Sequence, residues 1–290
     1  MKSFEYYAPT SLREALDIMA QAGGNARALA GGTDLIDQMK QRRRTPSMVM
    51  DVKRVPELMV LEYREGEGLS IGAGTACADI QRMPVVRDLY PAIAQSCALI
   101  GSVQIQSRAS VGGNVCNAAP SADTVPPLIV LGARAVIAGP GGEREVPVEE
   151  FFLGPGQTVL AGDELLMKIV VPPPQKRSTS YYLRFIPREE MDIAVAGVAS
   201  HIALGSANGV CAEARIALAA VAPTPLRVRE AESVLVGRDL DQALIAEAAE
   251  KAAAAARPIT DIRGSAEYRR ELVKVLTRRS ITGCLDQLQS

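Results

Sequence analysis

The sequence predicts an α+β fold in two parts. Strand and helix patterns alternate irregularly over the first 176 residues, with hairpin signals among them. Three prolines, Pro172, Pro173 and Pro174, followed by the polar stretch 175–180, mark a linker. Beyond it, three strand-like stretches come first and three helix-like stretches follow. These observations divide the chain into 1–176, with subdomains about 1–58 and 59–176, and a second domain over 178–290.

Residues 1–58 form a small α/β unit in this reading. Ser11 can cap a helix beginning within 10–16, with Glu14 three residues on and apolar positions 12, 15, 16 and 19 sharing a face. A strand over 27–30 runs into Gly31-Gly32, a helix follows over about 34–40, and 48–52 is a buried strand, giving a βαβ-like element. Residues 60–63 and 69–73 flank 64–68 as a hairpin. Helices are expected over about 78–83, ending before Pro84, over 91–99, and over 125–131, the last with prolines in its first turn behind 121–124. A second hairpin joins 134–138 to 143–148 through 139–142, and 165–171 is a strand. In the second domain 181–186, 194–204 and 214–221 are expected strands, and 226–235, 240–257 and 265–281 expected helices. The alanine-rich 246–256 has high helix propensity.

Composition narrows the function classes. Hydrophobic residues make up 48% and charged residues 22% of 290, which suits a globular protein that buries a sizeable core. Lys and Arg total 32 against 33 Asp and Glu, so the net charge of −1 gives no electrostatic case for nucleic acid or membrane binding. The run Arg42-Arg43-Arg44 is read as a solvated helix end. No apolar stretch reaches the ~18 residues of a spanning helix, and the N-terminus lacks a signal peptide's apolar segment, so the cytoplasm is expected. The five cysteines contain no Cys-x-x-Cys pair and His201 is the only histidine, so no metal or iron–sulfur site is expected on this chain. His201 is expected to be structural, Cys116 a packing residue, and a His-based hydrolytic triad has no support.

Two glycine-rich segments carry candidate chemistry. Gly31 and Gly32 end a strand and precede a helix, where backbone N–H groups can approach a phosphate; taken singly, the pair is more simply a tight turn. The stretch 110–123 reads SVGGNVCNAAPSAD, with small residues that would let a ligand reach the backbone and an acidic residue, Asp123, suited to ribose hydroxyls. Its chemistry is equally that of a small-residue loop in a packed core. Gly72-Ala73-Gly74 matches part of a dinucleotide fingerprint, but no βαβ unit follows, so it is read as a turn.

With both glycine segments, YYLRFIPREEMD over 181–192 and GSAEYR over 264–269, the chain resembles the FAD-binding medium subunit of the molybdenum hydroxylases, the xanthine dehydrogenase and carbon monoxide dehydrogenase group. The resemblance spans nearly the whole chain. It implies a two-part FAD-binding domain of the PCMH type, then a C-terminal domain of antiparallel sheet plus helices. It also implies a cofactor site. Leu29, Ala30, Gly31, Gly32, Thr33, Asp34, Leu35 and Ile36 would form the first contact segment around the pyrophosphate. Ile100 would pack on the cofactor, and Ser110, Val111, Gly112, Gly113 and Asn114 would complete the phosphate and ribose grip. Asp123 would bind an FAD hydroxyl, Leu166 would touch the cofactor, and Arg184 would supply a basic contact of open geometry. No side-chain catalyst is implied.

The function implied is electron transfer: a molybdenum cofactor-binding large subunit oxidises substrate, a [2Fe-2S] small subunit relays electrons, and FAD on this chain passes them to an external acceptor. A dimer of heterotrimers is the implied assembly. The competing reading is a self-contained FAD-dependent oxidoreductase, whose acid–base candidates would be Arg188, Glu189 and Asp192.

Overall fold

The computed structural model describes residues 1–188, 191–205 and 209–289. Near the N-terminus the Ser11 hydroxyl accepts the Glu14 N–H at 3.2 Å and starts the helix Leu12–Gln21. The Glu14 carboxylate reaches back to the Thr10 N–H at 2.8 Å, a capping box displaced by one residue. Strand Ala26–Leu29, helix Leu35–Lys40 and strand Met48–Asp51 form the expected βαβ unit, the two strands pairing in parallel. Glu5–Tyr7 adds a third parallel strand on the other side of Met48–Asp51.

The middle of the chain is a five-stranded antiparallel sheet. Its order is Leu61–Arg64, Gly68–Gly72, Leu165–Val171, Arg134–Gly139, Gly142–Pro147. Both expected hairpins are present, and Leu165–Val171 joins them, alternating into a core that contains Ile71, Ile137 and Ile169. Short helices, among them Cys77–Arg82, Pro91–Ala98 and Val125–Val130, contribute Ile80, Ile93 and Leu128 to that core.

Three local expectations need correction. Pro84 does stop the preceding helix, but it also begins the helix Pro84–Leu89, since a proline without an N–H fits the first helical position. The expected loop beginning at Ser110 is instead the helix Val111–Asn117, whose cap is the Ser110 hydroxyl accepting the Gly113 N–H at 3.0 Å. Leu226–Arg227, expected to open a helix, is an edge strand pairing with Ala217 and Leu218; the helix proper is Arg229–Leu235.

The C-terminal part is an antiparallel sheet ordered Ser178–Phe185, Ala196–Leu204, Cys211–Ala219, Leu226–Arg227. Helices Arg229–Leu235, Gln242–Ala255 and Ala266–Gln289 complete a second core with it. Ala248, Ala249, Ala252 and Ala253 are buried, so small side chains let the alanine-rich helix approach its neighbours closely.

Strand Ser178–Phe185 serves both cores through its two-residue period. Tyr181, Leu183 and Phe185 pack into the C-terminal core. Ser180, Tyr182 and Arg184 face the N-terminal part, where Ser180 accepts the Ala92 N–H at 3.4 Å and the other two meet Asp123. Among the described residues no helix is long and apolar enough to cross a membrane, and no group of three or more His, Cys, Asp or Glu could hold a metal ion.

Candidate functional site

A cleft of about 620 Å³ lies where the βαβ unit meets the five-stranded sheet. One wall is the turn between strand Ala26–Leu29 and helix Leu35–Lys40; opposite it stands helix Val111–Asn117. The start of the turn is pinned from behind, because Lys53 Nζ donates to the Ala30 carbonyl at 2.9 Å while paired with Asp51 at 2.6 Å.

The four glycines serve the cleft in three ways. A Cβ on Gly31 would stand 2.1 Å from the Arg108 carbonyl oxygen, so its absence lets the two chain segments touch. Gly32 has φ +76, and its open side is closed over by the Leu29 and Ile36 side chains, each 2.9 Å from where a Cβ would stand. Gly112 packs on Ala73, whose Cα would lie 2.4 Å from a Cβ there. Gly113 alone of the four has little behind it: a Cβ would meet Ser110 Oγ at 2.9 Å and Ala30 Cβ at 4.0 Å. Glycine at three of these positions therefore shapes the cleft, and at Gly113 it keeps space free inside it.

The backbone donors divide in the same way. The Gly113 N–H is taken by Ser110 and the Asn114 N–H by the Ser110 carbonyl. Among the described residues, no hydrogen bond takes up the N–H groups of Gly31, Gly32 and Thr33. Three consecutive backbone donors at a cleft wall are thus free for an acceptor.

Of the residues expected from sequence, Ala30, Gly31, Gly32, Thr33, Asp34, Leu35, Ile100, Ser110, Gly112, Gly113, Asn114 and Leu166 line the cleft together. Leu29 and Ile36 sit behind Gly32, and Val111 is buried in the core. Asp123 and Arg184 do not line it. They form a buried ion pair, with side chains 8% and 5% exposed. Tyr182 Oη donates to the other carboxylate oxygen at 2.7 Å, and Arg184 Nη2 donates to the Leu99 carbonyl at 2.7 Å. Gly197 opposite Arg184 leaves room for the Tyr182 hydroxyl. Burial raises the Asp123 carboxyl, opposed by the Arg184 guanidinium and the Tyr182 hydroxyl. The pair acts on the cleft through its neighbours, since Leu99 precedes Ile100, and Thr124 donates to Asn114 Oδ1 at 2.7 Å.

Other lining residues carry no distinctive sequence signal. Arg44 is half-buried on the wall, where its Nε donates to Gln38 Oε1 at 2.8 Å and Gln38 in turn donates to Asn117 at 2.9 Å. This corrects the reading of the arginine run as wholly solvated; Arg42 and Arg43 alone are exposed. The hairpin Phe152–Gly154 with Gln157–Thr158 brings Leu153 and Thr158 to the cleft. Ala73, from the turn at Gly72-Ala73-Gly74, and Cys77 just beyond it also line the cleft.

The titratable groups fit binding better than acid–base work. Desolvation, with Asp37 nearby, raises the Asp34 carboxyl. Burial pushes the Cys116 thiol up to about 12, so a cleft-lining sulfur stays protonated. His201 lies in strand Ala196–Leu204 outside the cleft, and burial holds it neutral, lowered to about 4. Arg188 is exposed and stands 3.6 Å from Asp192, away from the cleft, while Glu189 lies outside the described residues.

Two family models match this chain. One, the FAD binding domain in molybdopterin dehydrogenase, covers residues 2–174; the other, the CO dehydrogenase flavoprotein C-terminal domain, covers 181–283. The carbon monoxide dehydrogenase medium chain of Hydrogenophaga pseudoflava is 34% identical over 278 residues, 96% of each chain. A putative xanthine dehydrogenase FAD-binding subunit of Escherichia coli is 31% identical over 278 residues, 96% of this chain and 94% of its own. Among solved structures, the Hydrogenophaga pseudoflava carbon monoxide dehydrogenase lacking the Mo-pyranopterin moiety superposes with a TM-score of 0.94, covering 98% of both chains at 34% identity. Quinoline 2-oxidoreductase from Pseudomonas putida superposes at 0.92, with 30% identity and 100% of both chains covered.

Proposed function

The chain belongs to the family of FAD-binding subunits of molybdenum-containing dehydrogenases, and from that premise we propose that it relays electrons from a partner's iron–sulfur clusters to an external acceptor. The observation that carries the cofactor geometry is the row of free N–H groups on Gly31, Gly32 and Thr33, three residues that line a cleft also lined by Gly113. Phosphate oxygens accept from such donors, and a cleft of about 620 Å³ is in the range that encloses large ligands. The residues present therefore fit FAD.

Bound there, FAD supplies a centre that exchanges one or two electrons. Gly31, Gly32 and Thr33 would hold the pyrophosphate through their N–H groups. Ser110 fixes the start of helix Val111–Asn117 so that Gly113 leaves space and Asn114 stays beside the cleft. Ile100 and Leu166 would give the flavin or adenine an apolar face and exclude water. Asp123 and Arg184 would act as positioning residues, holding Leu99 and the segment before helix Val125–Val130 against that wall. A proton carrier is not required of any side chain in the cleft.

The division into 1–176 and 178–290 is part of this reading, supported by the two cores and by family matches that end at 174 and resume at 181. So is assembly with a molybdenum cofactor-binding large subunit and a [2Fe-2S] small subunit as a dimer of heterotrimers. Relatives described as medium chains and FAD-binding subunits support it, as does a sequence with one histidine and no Cys-x-x-Cys pair. Five free cysteines suit the reducing cytoplasm. Affinity purification from the native cell tests the assembly: molybdenum, iron and FAD should co-elute with the tagged chain. Recovery of the chain alone, oxidising an organic substrate without either metal, would overturn it.

A further inference from the structure

Beside the cofactor cleft lies a second, smaller cavity of about 260 Å³, which shares Gly24, Arg27 and Arg44 with the cleft. Arg43 and Thr45 also line it, and no carboxylate does. We propose that Arg27, Arg43 and Arg44 form an anion subsite at the end of the cleft, which takes a phosphate group additional to those of the cofactor. The inference rests on the FAD reading only in counting that phosphate as additional.

Charge and donor geometry point to this ligand. Three arginines line one cavity, two of them close enough for Arg44 to act electrostatically on Arg27, and among the described residues none of the three is ion-paired to a carboxylate. The chain as a whole is nearly neutral, with a net charge of −1, so this concentration is local rather than general. Arg27 Nη1 donates to the Gly24 and Ala26 carbonyls at 3.1 and 2.8 Å, which fixes that guanidinium in place. Arg44 is fixed through Nε by Gln38, leaving its two terminal nitrogens for another acceptor. Burial lowers the Arg27 guanidinium, and the like charge of the neighbouring Arg44 lowers it further. A phosphate relieves that repulsion: it accepts from forked donors in pairs, which a chloride cannot, and its extra oxygen and charge serve several arginines where a single carboxylate serves one. Thr45 and Asn25, whose side chains carry neutral donors, line the same cavity.

The position separates this site from the cofactor's own phosphates. Arg43 touches only the smaller cavity, and the free N–H groups of Gly31 to Thr33 already provide for the pyrophosphate. The chemical class that fits is therefore a free phosphate or the phosphate of a nucleotide that docks after FAD is in place.

The test is calorimetric titration of the FAD-loaded protein with inorganic phosphate and, separately, with AMP, at low salt. Both probes should bind, and Arg43→Glu should weaken them about tenfold or more while FAD content, read from the visible spectrum, is unchanged. Tighter binding of AMP than of phosphate identifies a nucleotide source; equal binding identifies free phosphate. Phosphate binding that Arg43→Glu leaves intact would overturn the site. Binding seen only after FAD is stripped would also overturn it, by assigning the arginines to the cofactor. Absence of FAD from the folded protein is a separate failure, of the cofactor reading, and the same titrations on that protein still report on the arginines.

Discussion

Arg184, on the first strand of the C-terminal sheet, closes an ion pair with Asp123 of the N-terminal part, and both side chains are more than nine-tenths buried. The contact joins the N-terminal and C-terminal parts and, through the Leu99 carbonyl, adjoins the cleft-lining Ile100. Removing Asp123 alone leaves a buried guanidinium without its counter-ion. Asp123→Ala should therefore destabilise the protein by about 3–5 kcal/mol in denaturant unfolding. Replacing both partners together, as in Asp123→Leu with Arg184→Met, should cost less than the single change. A double variant as unstable as the sum of its singles would show that the pair is not a unit.

Glycine substitutions should separate binding from folding. Gly113→Val adds bulk at a cleft-lining position where the nearest neighbour is the movable Ser110 hydroxyl, so the variant should fold with a nearly unchanged far-ultraviolet spectrum but lose the visible flavin bands. Gly31→Ala places a Cβ against the Arg108 carbonyl and should lower stability by about 1–3 kcal/mol or more, whether or not FAD is present. Full flavin content in folded Gly113→Val would remove that residue from the site.

Cys116 lines the cleft yet should be inert. With the thiol raised to about 12, only about one part in ten thousand is thiolate at about pH 8. Alkylation at that pH followed by peptide mass mapping should leave Cys116 unlabelled until the chain is denatured. Labelling on the timescale of a free cysteine would mean that the sulfur is reached by solvent and that the cleft wall is open there.

Acid sensitivity should arise partly from Asp261. Its hydrogen bond to Arg269 holds the carboxyl below the usual value of 3.8, while Arg269 also donates to the Val195 carbonyl. A lowered folded-state value means that the stabilisation is present above the unfolded value and is lost as pH falls through the folded one. The thermal midpoint of the parent should thus fall relative to Asp261→Asn only below about pH 4. A difference between the two that varied instead between about pH 6 and pH 8 would point to another group.

Much of this fold is legible in the chain. Leu165–Val171 appears as expected because its apolar run, bounded by Asp163-Glu164 and Pro172, is local, and Ser11 with Glu14 marks a helix start for the same reason. Helix Val111–Asn117 is not, since Gly112 and Gly113 each cost about 1 kcal/mol in a helix interior; it forms because Gly112 packs on Ala73 and Ser110 caps it. The strand Glu5–Tyr7 is exposed at all three residues and exists only through its partner at Met48–Met50, so no burial pattern announces it. At the site, the glycine segments are visible as sequence, whereas Arg44 differs from Arg42 and Arg43 only in where the turn after Lys40 carries it. Asp123 stands out in the sequence, but its partners lie 59 and 61 residues away in the chain, and only the folded arrangement reveals the ion pair.

The central claim is that the free N–H groups of Gly31, Gly32 and Thr33 hold the pyrophosphate of FAD. A crystal structure of the FAD-loaded protein measures this directly. Pyrophosphate oxygens should lie within hydrogen-bonding distance of those three nitrogens, with the space beside Gly113 filled by the cofactor. A pyrophosphate seated elsewhere, with the three N–H groups facing water, would contradict the account.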